Sequence, residues 1–162
     1  MASESPDSIL IGLHEAGVEH IVVGGTAAVL LGAPIVTEDL DIVHRRTPEN
    51  VDCLLEWLTA HQAYHRFDLA NRKLPPTREV LLGSGHVNLQ TTLGKLDVLC
   101  ELEPGKGYEE LLPDTVFIDE GPVPLRVLDL PRLIAAKSAA GRAKDRAVLP
   151  LLVATLDERR KK

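Results

Sequence analysis

Aromatic residues are scarce in this chain, which has one tryptophan, two tyrosines and two phenylalanines among 162 residues. A core must therefore be built from Leu, Val, Ile and Ala, and few rings are available to stack bases as single-strand nucleic-acid binders do. Basic residues are also outnumbered, with 18 Lys and Arg against 24 Asp and Glu, for a net charge of -6. Affinity for phosphate backbones rests on clustered Lys and Arg, so broad nucleic-acid binding is not expected and DNA is not predicted as a partner.

Cysteines and long apolar runs are lacking as well. Cys53 and Cys100 are the only cysteines, and their separation matches no metal-ligand spacing, which favours two thiols in a reducing compartment over a disulfide. No apolar run approaches the roughly 20 residues of a membrane span, and residues 1–6 lack the basic region of a signal peptide. We therefore expect a cytoplasmic protein with no membrane partner.

Length and composition predict one soluble domain over residues 1–162, since 44% of the residues are apolar and 26% are charged. The pattern begins with a helix capped by Ser5 and continues with strands and helices in alternation. This order in a short chain predicts an α/β (α+β) fold, a mixed β-sheet backed by helices. We expect a core over residues 5–128 and closing C-terminal helices over residues 129–157.

A glycine pair separates a strand pattern from a helix pattern near the N-terminus. Residues 21–23 are consecutive β-branched residues, typical of a strand buried on both faces, and Gly24 and Gly25 follow them. Residues 26–31 then have the pattern of a short helix. A glycine turn before a helix presents free backbone N–H groups that suit a phosphate, although a strand-turn-helix without a ligand has the same pattern.

Two acids follow on a predicted strand. Asp39 and Asp41 lie in the segment Thr-Glu-Asp-Leu-Asp-Ile-Val, and residues two apart in a strand project from the same face, about 7 Å apart. Carboxylates on an otherwise apolar strand are costly to bury without a compensating cation. Mg²⁺ is the expected cation, because it takes oxygen ligands and keeps coordination positions for water and phosphate oxygens.

A third acid lies in a later strand. Asp97 is in the middle of an apolar segment, and the turn before it predicts an antiparallel hairpin of residues 87–91 and 96–102. If the second of these strands lies beside that of Asp39 and Asp41, three carboxylates converge. They can then hold two cations about 3.5 to 4 Å apart, with Asp97 accepting the proton of an attacking hydroxyl. An arginine or lysine filling the gap between these acids would argue against an enzyme and leave a scaffold.

The order of Gly-Gly-Thr, a helix, Thr-x-Asp-Leu-Asp-Ile and a later strand aspartate resembles the nucleotidyltransferase fold of the DNA polymerase β superfamily. Residues 133–145 are similar to the closing helices of small AbiEii-type nucleotidyltransferases, found in bacterial toxin–antitoxin and phage-abortive systems. The matching segments span most of the chain, and residues 67–84 match least.

The resemblance implies transfer of a nucleoside monophosphate from a nucleoside triphosphate, such as ATP, to an acceptor hydroxyl. It implies that Asp39 and Asp41 bind two Mg²⁺ or Mn²⁺ ions and that Asp97 is the third ligand and the base. It further implies a toxin role with an antitoxin partner encoded nearby. The residues that it places at the nucleotide are Gly24, Gly25, Thr26, Lys137, Arg142 and Lys144, with Asp145 as a neighbour of the last three.

Two positions depart from the family pattern. Members often carry an arginine two residues before the threonine of Thr-x-Asp-Leu-Asp, and Ile35 stands there. One phosphate or substrate contact is therefore absent or supplied from elsewhere. Pro150 falls within the last predicted helix, where a proline costs about 3 kcal/mol unless the helix begins late or kinks. Neither position is one of the three acids, but both bear on the substrate pocket and the C-terminal helices.

Residues 64–84 predict a long loop with short flanking elements, because prolines and charges are scattered along them. Four basic residues of this segment can receive an anionic acceptor such as RNA, and a solvated loop is the alternative. They are Arg66, Arg72, Lys73 and Arg78.

The sequence thus predicts a metal-dependent nucleotidyltransferase in which an acceptor hydroxyl attacks the α-phosphate and pyrophosphate leaves. RNA 3′ ends, a protein side chain and a small molecule all fit the acceptor, and the toxin–antitoxin resemblance favours RNA or protein. The alternative is a non-catalytic module that binds a nucleotide or a partner protein. Ile35 speaks for that module, and three mutually repelling carboxylates speak against it.

Overall fold

Helices and strands alternate in the computed structural model, which describes residues 6–161. Ser5, the predicted cap of the first helix, lies outside the described residues. The helices are α1 (Pro6–Glu15), α2 (Gly24–Leu30), α3 (Pro48–Ala60), α4 (Arg78–Leu81), α5 (Tyr108–Leu111), α6 (Leu130–Ala140) and α7 (Ala143–Arg160), with a 3₁₀ turn at Leu112–Asp114. The strands are β1 (His20–Val23), β2 (Leu40–His44), β3 (Tyr64–His65), β4 (His86–Thr91), β5 (Gly94–Leu99), β6 (Thr115–Ile118) and β7 (Leu125–Leu128).

The strands of the described residues form one mixed sheet in the order β3-β4-β5-β2-β1-β7-β6. The predicted hairpin β4–β5 is antiparallel, β6 and β7 form a second antiparallel hairpin, and β2 is antiparallel to β1. Two long connections produce parallel neighbours, β2 with β5 and β1 with β7. The predicted α/β fold, a mixed sheet backed by helices, is confirmed.

The core is aliphatic, as the scarcity of aromatic residues requires. Side chains from the central strands pack with the inner faces of α1 and α3, and each fully buried Leu or Ile contributes roughly 1.5 to 3 kcal/mol. The largest fully buried side chains are Ile9, Leu13, Ile21, Leu40, Ile42, Leu54, Leu58, Leu81, Leu89, Leu96, Leu111 and Leu128. The two cysteines are free thiols, Cys53 in α3 and Cys100 directly after β5.

Side-chain caps set the starts of two long helices. The Thr47 hydroxyl accepts a hydrogen bond from the Asn50 backbone N–H at 3.3 Å, which starts α3. The Asp129 carboxylate accepts one from the Arg132 backbone N–H at 2.9 Å, which starts α6. Each cap satisfies one of the N–H groups that a helix leaves unpaired at its first turn.

Several predicted boundaries shift. The glycine pair does not form a turn ahead of a helix, because α2 begins at Gly24 and the pair is its first turn. The second strand of the β4–β5 hairpin ends at Leu99 rather than at residue 102. The predicted loop 64–84 begins with strand β3 and contains the single turn of α4. No helix among residues 6–161 is long and apolar enough to cross a membrane.

Pro150 lies inside α7, which starts early, at Ala143, and continues past the proline to Arg160. A proline there leaves the carbonyl four residues earlier without its N–H partner and crowds the preceding turn. We expect Pro150→Ala to raise the free energy of unfolding by roughly 1 to 3 kcal/mol, measured by urea denaturation. Pro48→Ala is the matched control, because Pro48 is at the first turn of α3, where no N–H is needed, and its effect should be small. Equal effects of the two substitutions would contradict this account of α7.

Candidate active site

Two of the three predicted acids lie side by side on neighbouring strands at the centre of the sheet. β2 and β5 are parallel neighbours in which Asp41 and Asp97 are register partners. Register partners on adjacent strands project from the same face of a sheet, so their carboxyl groups are brought together. Asp39 directly precedes β2, two residues from Asp41. The structure therefore meets the condition stated for the sequence, that the strand of Asp97 lies beside the strand of Asp41.

Burial and like charge act together on Asp41. Burial raises the pKa of Asp41 to about 7, and a hydrogen bond with Asp97 and the negative charges of Asp97 and Asp39 add to the increase. The positive charge of Lys137 opposes it. A carboxyl group with this pKa is half protonated near neutral pH, so the cluster retains a proton where positive charge is short.

An arginine lies against the same acids. The Arg66 guanidinium donates to an Asp97 carboxylate oxygen at 2.6 Å, and its other terminal nitrogen is 3.9 Å from an Asp39 oxygen. Arg66 directly follows β3, and the side chains of Arg66 and Asp97 are each only 13% exposed. Part of the gap between the acids is thus filled by arginine, the observation that argues for a scaffold.

The glycine pair is placed by close packing against the acidic strand. Gly24 has a positive φ of 66°, and a Cβ at this residue would overlap the Asp41 carboxylate. A Cβ at Gly25 would lie 2.9 Å from the Thr37 hydroxyl. Only glycine allows the start of α2 to approach β2 this closely.

Thr26 and Thr37 fix the backbone of the first acid. Both hydroxyls donate to the Asp39 carbonyl at 3.2 Å, and Thr26 is buried. Thr26, which the resemblance places at the nucleotide, therefore directs its hydroxyl to the main chain. Its contact in this structure positions Asp39.

The predicted basic residues of the C-terminal helices meet at a buried aspartate. Asp145 is fully buried and accepts from Arg142 at 2.6 Å and from Lys137 at 3.2 Å. These two bonds lower the pKa of Asp145 to about 2, and the bond from Arg142 has the larger effect. The charge of Lys137 also acts on Asp41, so this cluster lies within electrostatic range of the acids. Lys144 is exposed on α7 and takes no part in the Asp145 cluster.

The donor set fits a hard divalent cation in type, because three carboxylates offer only oxygen ligands. The arrangement is not a ready-made cage. Among residues 6–161, no three His, Cys, Asp or Glu side chains are grouped so that they hold a metal ion. One Asp97 oxygen is instead paired with Arg66, so an ion bound by these acids would share Asp97 with a guanidinium.

Sequence reasoning missed the role of Arg66. It lies in the segment that matches the family least, and only the antiparallel β3–β4 pairing brings it beside Asp97 on β5. Ile35, which stands where family members often carry an arginine, packs partly buried against the core. An arginine does stand at the acids of this chain, but a different element supplies it.

Solved structures with the same architecture include two nucleotidyltransferases. The lincosamide antibiotic adenylyltransferase LnuA, crystallised with lincomycin bound, is 12% identical with a TM-score of 0.62, over 92% of this chain and 94% of its own. A provisionally assigned nucleotidyltransferase from Thermotoga maritima is 17% identical with a TM-score of 0.54, over 90% and 92%. No protein-family model matches the chain. No curated protein matches it either.

Gly24 provides a test of the close approach between α2 and Asp41. We expect Gly24→Ala to lower the free energy of unfolding by about 2 to 4 kcal/mol, from left-handed backbone strain plus overlap with the carboxylate. Gly17→Ala is the matched control, because Gly17 has a similar φ of 74° and no atom within 4 Å of an added Cβ. Urea unfolding should show a cost of only about 1 kcal/mol for Gly17→Ala. A cost no larger for Gly24→Ala would contradict the packing described.

Asp145 makes stability depend on acid pH. Its pKa is about 2 in the folded protein against an ordinary 3.8, so its carboxylate stabilises the fold fully above about pH 4. That stabilisation is lost as pH falls through about 2. We expect Asp145→Asn to be less stable at neutral pH and to lose less further stability between pH 4 and pH 2. Thermal unfolding over this range measures both, and parallel profiles for the two proteins would contradict the pairing.

Both solved structures match this chain over nearly their full length. The chain has the nucleotidyltransferase fold.

Proposed function

We propose that the protein is a metal-dependent nucleotidyltransferase that moves a nucleoside monophosphate from a nucleoside triphosphate to an acceptor hydroxyl. The observation that carries the proposal is the register of Asp41 with Asp97 beside Asp39, next to the glycine pair. Two carboxylates side by side on adjacent central strands, with a third directly before one of these strands, are costly for a fold that has no cation to bind. The nucleotidyltransferase fold is an independent support.

The proposed roles follow from position. Asp39, Asp41 and Asp97 hold Mg²⁺ or Mn²⁺, which supplies charge neutralisation at the phosphates and activates the acceptor hydroxyl. Asp97 accepts the proton of that hydroxyl. Gly24 and Gly25 pack against Asp41 and Thr37 without side chains of their own, which brings the start of α2 next to the acids, and we assign them to the triphosphate. Lys137 and Arg142 provide positive charge near the triphosphate from the Asp145 cluster. Lys144, which is exposed on α7, contacts a phosphate from outside this cluster.

The acceptor is the finer part of the proposal. The resemblance to toxin–antitoxin enzymes favours RNA or protein, whereas the structural neighbour LnuA was crystallised with a small antibiotic. Phe67 is 75% exposed and lies under the Arg66 guanidinium at 4.7 Å, and Leu69 is fully exposed nearby in sequence. Phe67 and Leu69 come just after Arg66 in the chain, and Arg66 contacts the acids. Their exposed apolar side chains suit an acceptor with an apolar body. A small hydroxylated molecule therefore belongs in the test on equal terms.

A second candidate is the non-catalytic module, and one observation favours it. Arg66 pairs with Asp97 and approaches Asp39, so a side chain already supplies a cation at the acids. The charge count weighs against it, because one guanidinium does not offset the negative charges of Asp97 and Asp39, which add to the increase that burial causes in the pKa of Asp41. A module of this kind is expected to bind triphosphate or a partner protein without transferring label.

The test is transfer of label from each α-labelled nucleoside triphosphate in Mg²⁺ or Mn²⁺, with total RNA, total protein or hydroxylated small molecules as acceptors. We expect the wild type to label one acceptor class and the Asp39→Ala/Asp41→Ala variant to lose at least about 100-fold in rate. Asp119→Ala/Glu120→Ala removes two exposed acids from the β6–β7 connection and is the matched control, with unchanged transfer.

The outcomes separate the candidates. Transfer that persists in the Asp39→Ala/Asp41→Ala variant contradicts the assignment of the acids. Triphosphate binding without transfer to any acceptor supports the module instead. A toxin role predicts in addition that expression of the wild type, and not of the double variant, arrests bacterial growth and that the adjacent gene relieves the arrest.

A further inference from the structure

Arg66 is held firmly against the acid cluster by several contacts. Its guanidinium donates to the Asp97 carboxylate at 2.6 Å and to the Leu89 carbonyl at 3.1 Å from the same nitrogen. Its backbone N–H donates to the Asn88 carbonyl at 3.1 Å, and its guanidinium stacks on the Phe67 ring. The side chain is thus positioned between the β4 backbone and the acids, and is not a solvated loop residue.

The charges around the cluster do not balance. In the described part of the chain, Arg66 is the cation paired with these acids, and its partners are Asp97 and Asp39. It makes one close ion pair, with Asp97, and its separation from Asp39 is 3.9 Å. Lys137 and Arg142 act from farther away, because Asp145 binds both of them. A single guanidinium therefore compensates the acids in part.

A divalent ion and Arg66 draw on the same two carboxyl groups, those of Asp97 and Asp39. An ion such as Mg²⁺ binds carboxylate oxygens at about 2.0 to 2.1 Å and demands near-ideal geometry. A short charged hydrogen bond from a guanidinium holds the Asp97 carboxyl group in one orientation and takes up part of its negative charge, so it competes with such coordination. The two cations would also repel each other at this distance, since unit charges about 4 Å apart interact strongly even at a protein surface.

We propose that Arg66 is a built-in counter-ion that competes with the divalent ion for Asp97 and Asp39, so that Arg66 sets the ion affinity of the site and leaves Asp97 when the ion binds. The inference rests on the proposed function in taking these acids as the ion's ligands. It goes beyond that function by assigning to a residue outside the acidic motif the control of when the site is loaded. Arg66 is a positioning residue here, acting on the carboxylates alone.

The test measures ion binding directly, without nucleotide or acceptor. Mn²⁺ is titrated into the wild type, Arg66→Gln and Arg132→Gln, and free Mn²⁺ is followed by electron paramagnetic resonance. Arg132 is the matched control, because its side chain is 15% exposed, similar to that of Arg66, and it pairs with Glu103 at 3.0 Å, away from the acids. We expect Arg66→Gln to bind Mn²⁺ at least about tenfold more tightly than the wild type. Arg132→Gln should match the wild type.

A second measurement uses the wild type and does not depend on the folding of a variant. Arginine side-chain ¹⁵N spectra are recorded during a Mg²⁺ titration, with the Arg66 signal identified by its absence in Arg66→Lys. We expect the Arg66 Nε–H signal to shift as Mg²⁺ binds, because a terminal nitrogen of the same guanidinium loses its Asp97 partner. The Arg132 signal, identified in the same way from Arg132→Lys, should not move.

The results distinguish this inference from the proposed function. Equal or weaker Mn²⁺ binding by Arg66→Gln, or an unmoved Arg66 signal at Mg²⁺ saturation, overturns the inference and leaves the enzyme proposal intact. Failure of both the wild type and Arg66→Gln to bind either ion overturns the inference together with the metal part of the proposed function. Tighter binding by Arg66→Gln without any label transfer supports the inference and counts against the enzyme.

Discussion

Parallel pairing of β2 with β5 is the constraint on which the site depends. It places the carboxyl groups of Asp41 and Asp97 side by side on strands whose other residues are buried, where like charges are expensive. The surrounding features answer this cost in different ways. The pKa of Asp41 is raised, Arg66 pairs with Asp97, and Gly24 has no side chain where the Asp41 carboxylate lies.

The basic residues near the acids form two groups that differ in the carboxylates with which they pair. Lys137 and Arg142 come from the C-terminal helices and are tied to Asp145, a buried carboxylate that is ionised because of them. This arrangement brings cations close to Asp41 while their own counter-ion stays with them. Arg66 comes from the opposite half of the sheet, and within residues 6–161 its counter-ions are the acids themselves.

Local signals predicted most of the fold. The helix starts at Thr47 and Asp129 are local signals. A capping side-chain oxygen before a first turn that contains proline can be recognised in the sequence without tertiary information. The convergence of Asp97 with Asp41 was predicted only conditionally, because which strands become neighbours is a long-range property. Arg66 lies farther still from what a sequence shows: its place depends on a two-residue strand and on the pairing of that strand with β4. The glycine pair was read as a turn because glycine marks both turns and close approaches, and only packing tells them apart.

The strand that delivers Arg66 is the shortest of the sheet and lies at its border. β3 joins the sheet through two residue pairs with β4, whereas β2 has a neighbour on each side. Asp41 and Asp97 therefore belong to the interior of a continuous hydrogen-bonded network and share its rigidity. The guanidinium is attached to the periphery, where a few broken bonds release a segment without opening the rest. The site thus combines anions fixed by the architecture with a cation whose withdrawal leaves that architecture whole.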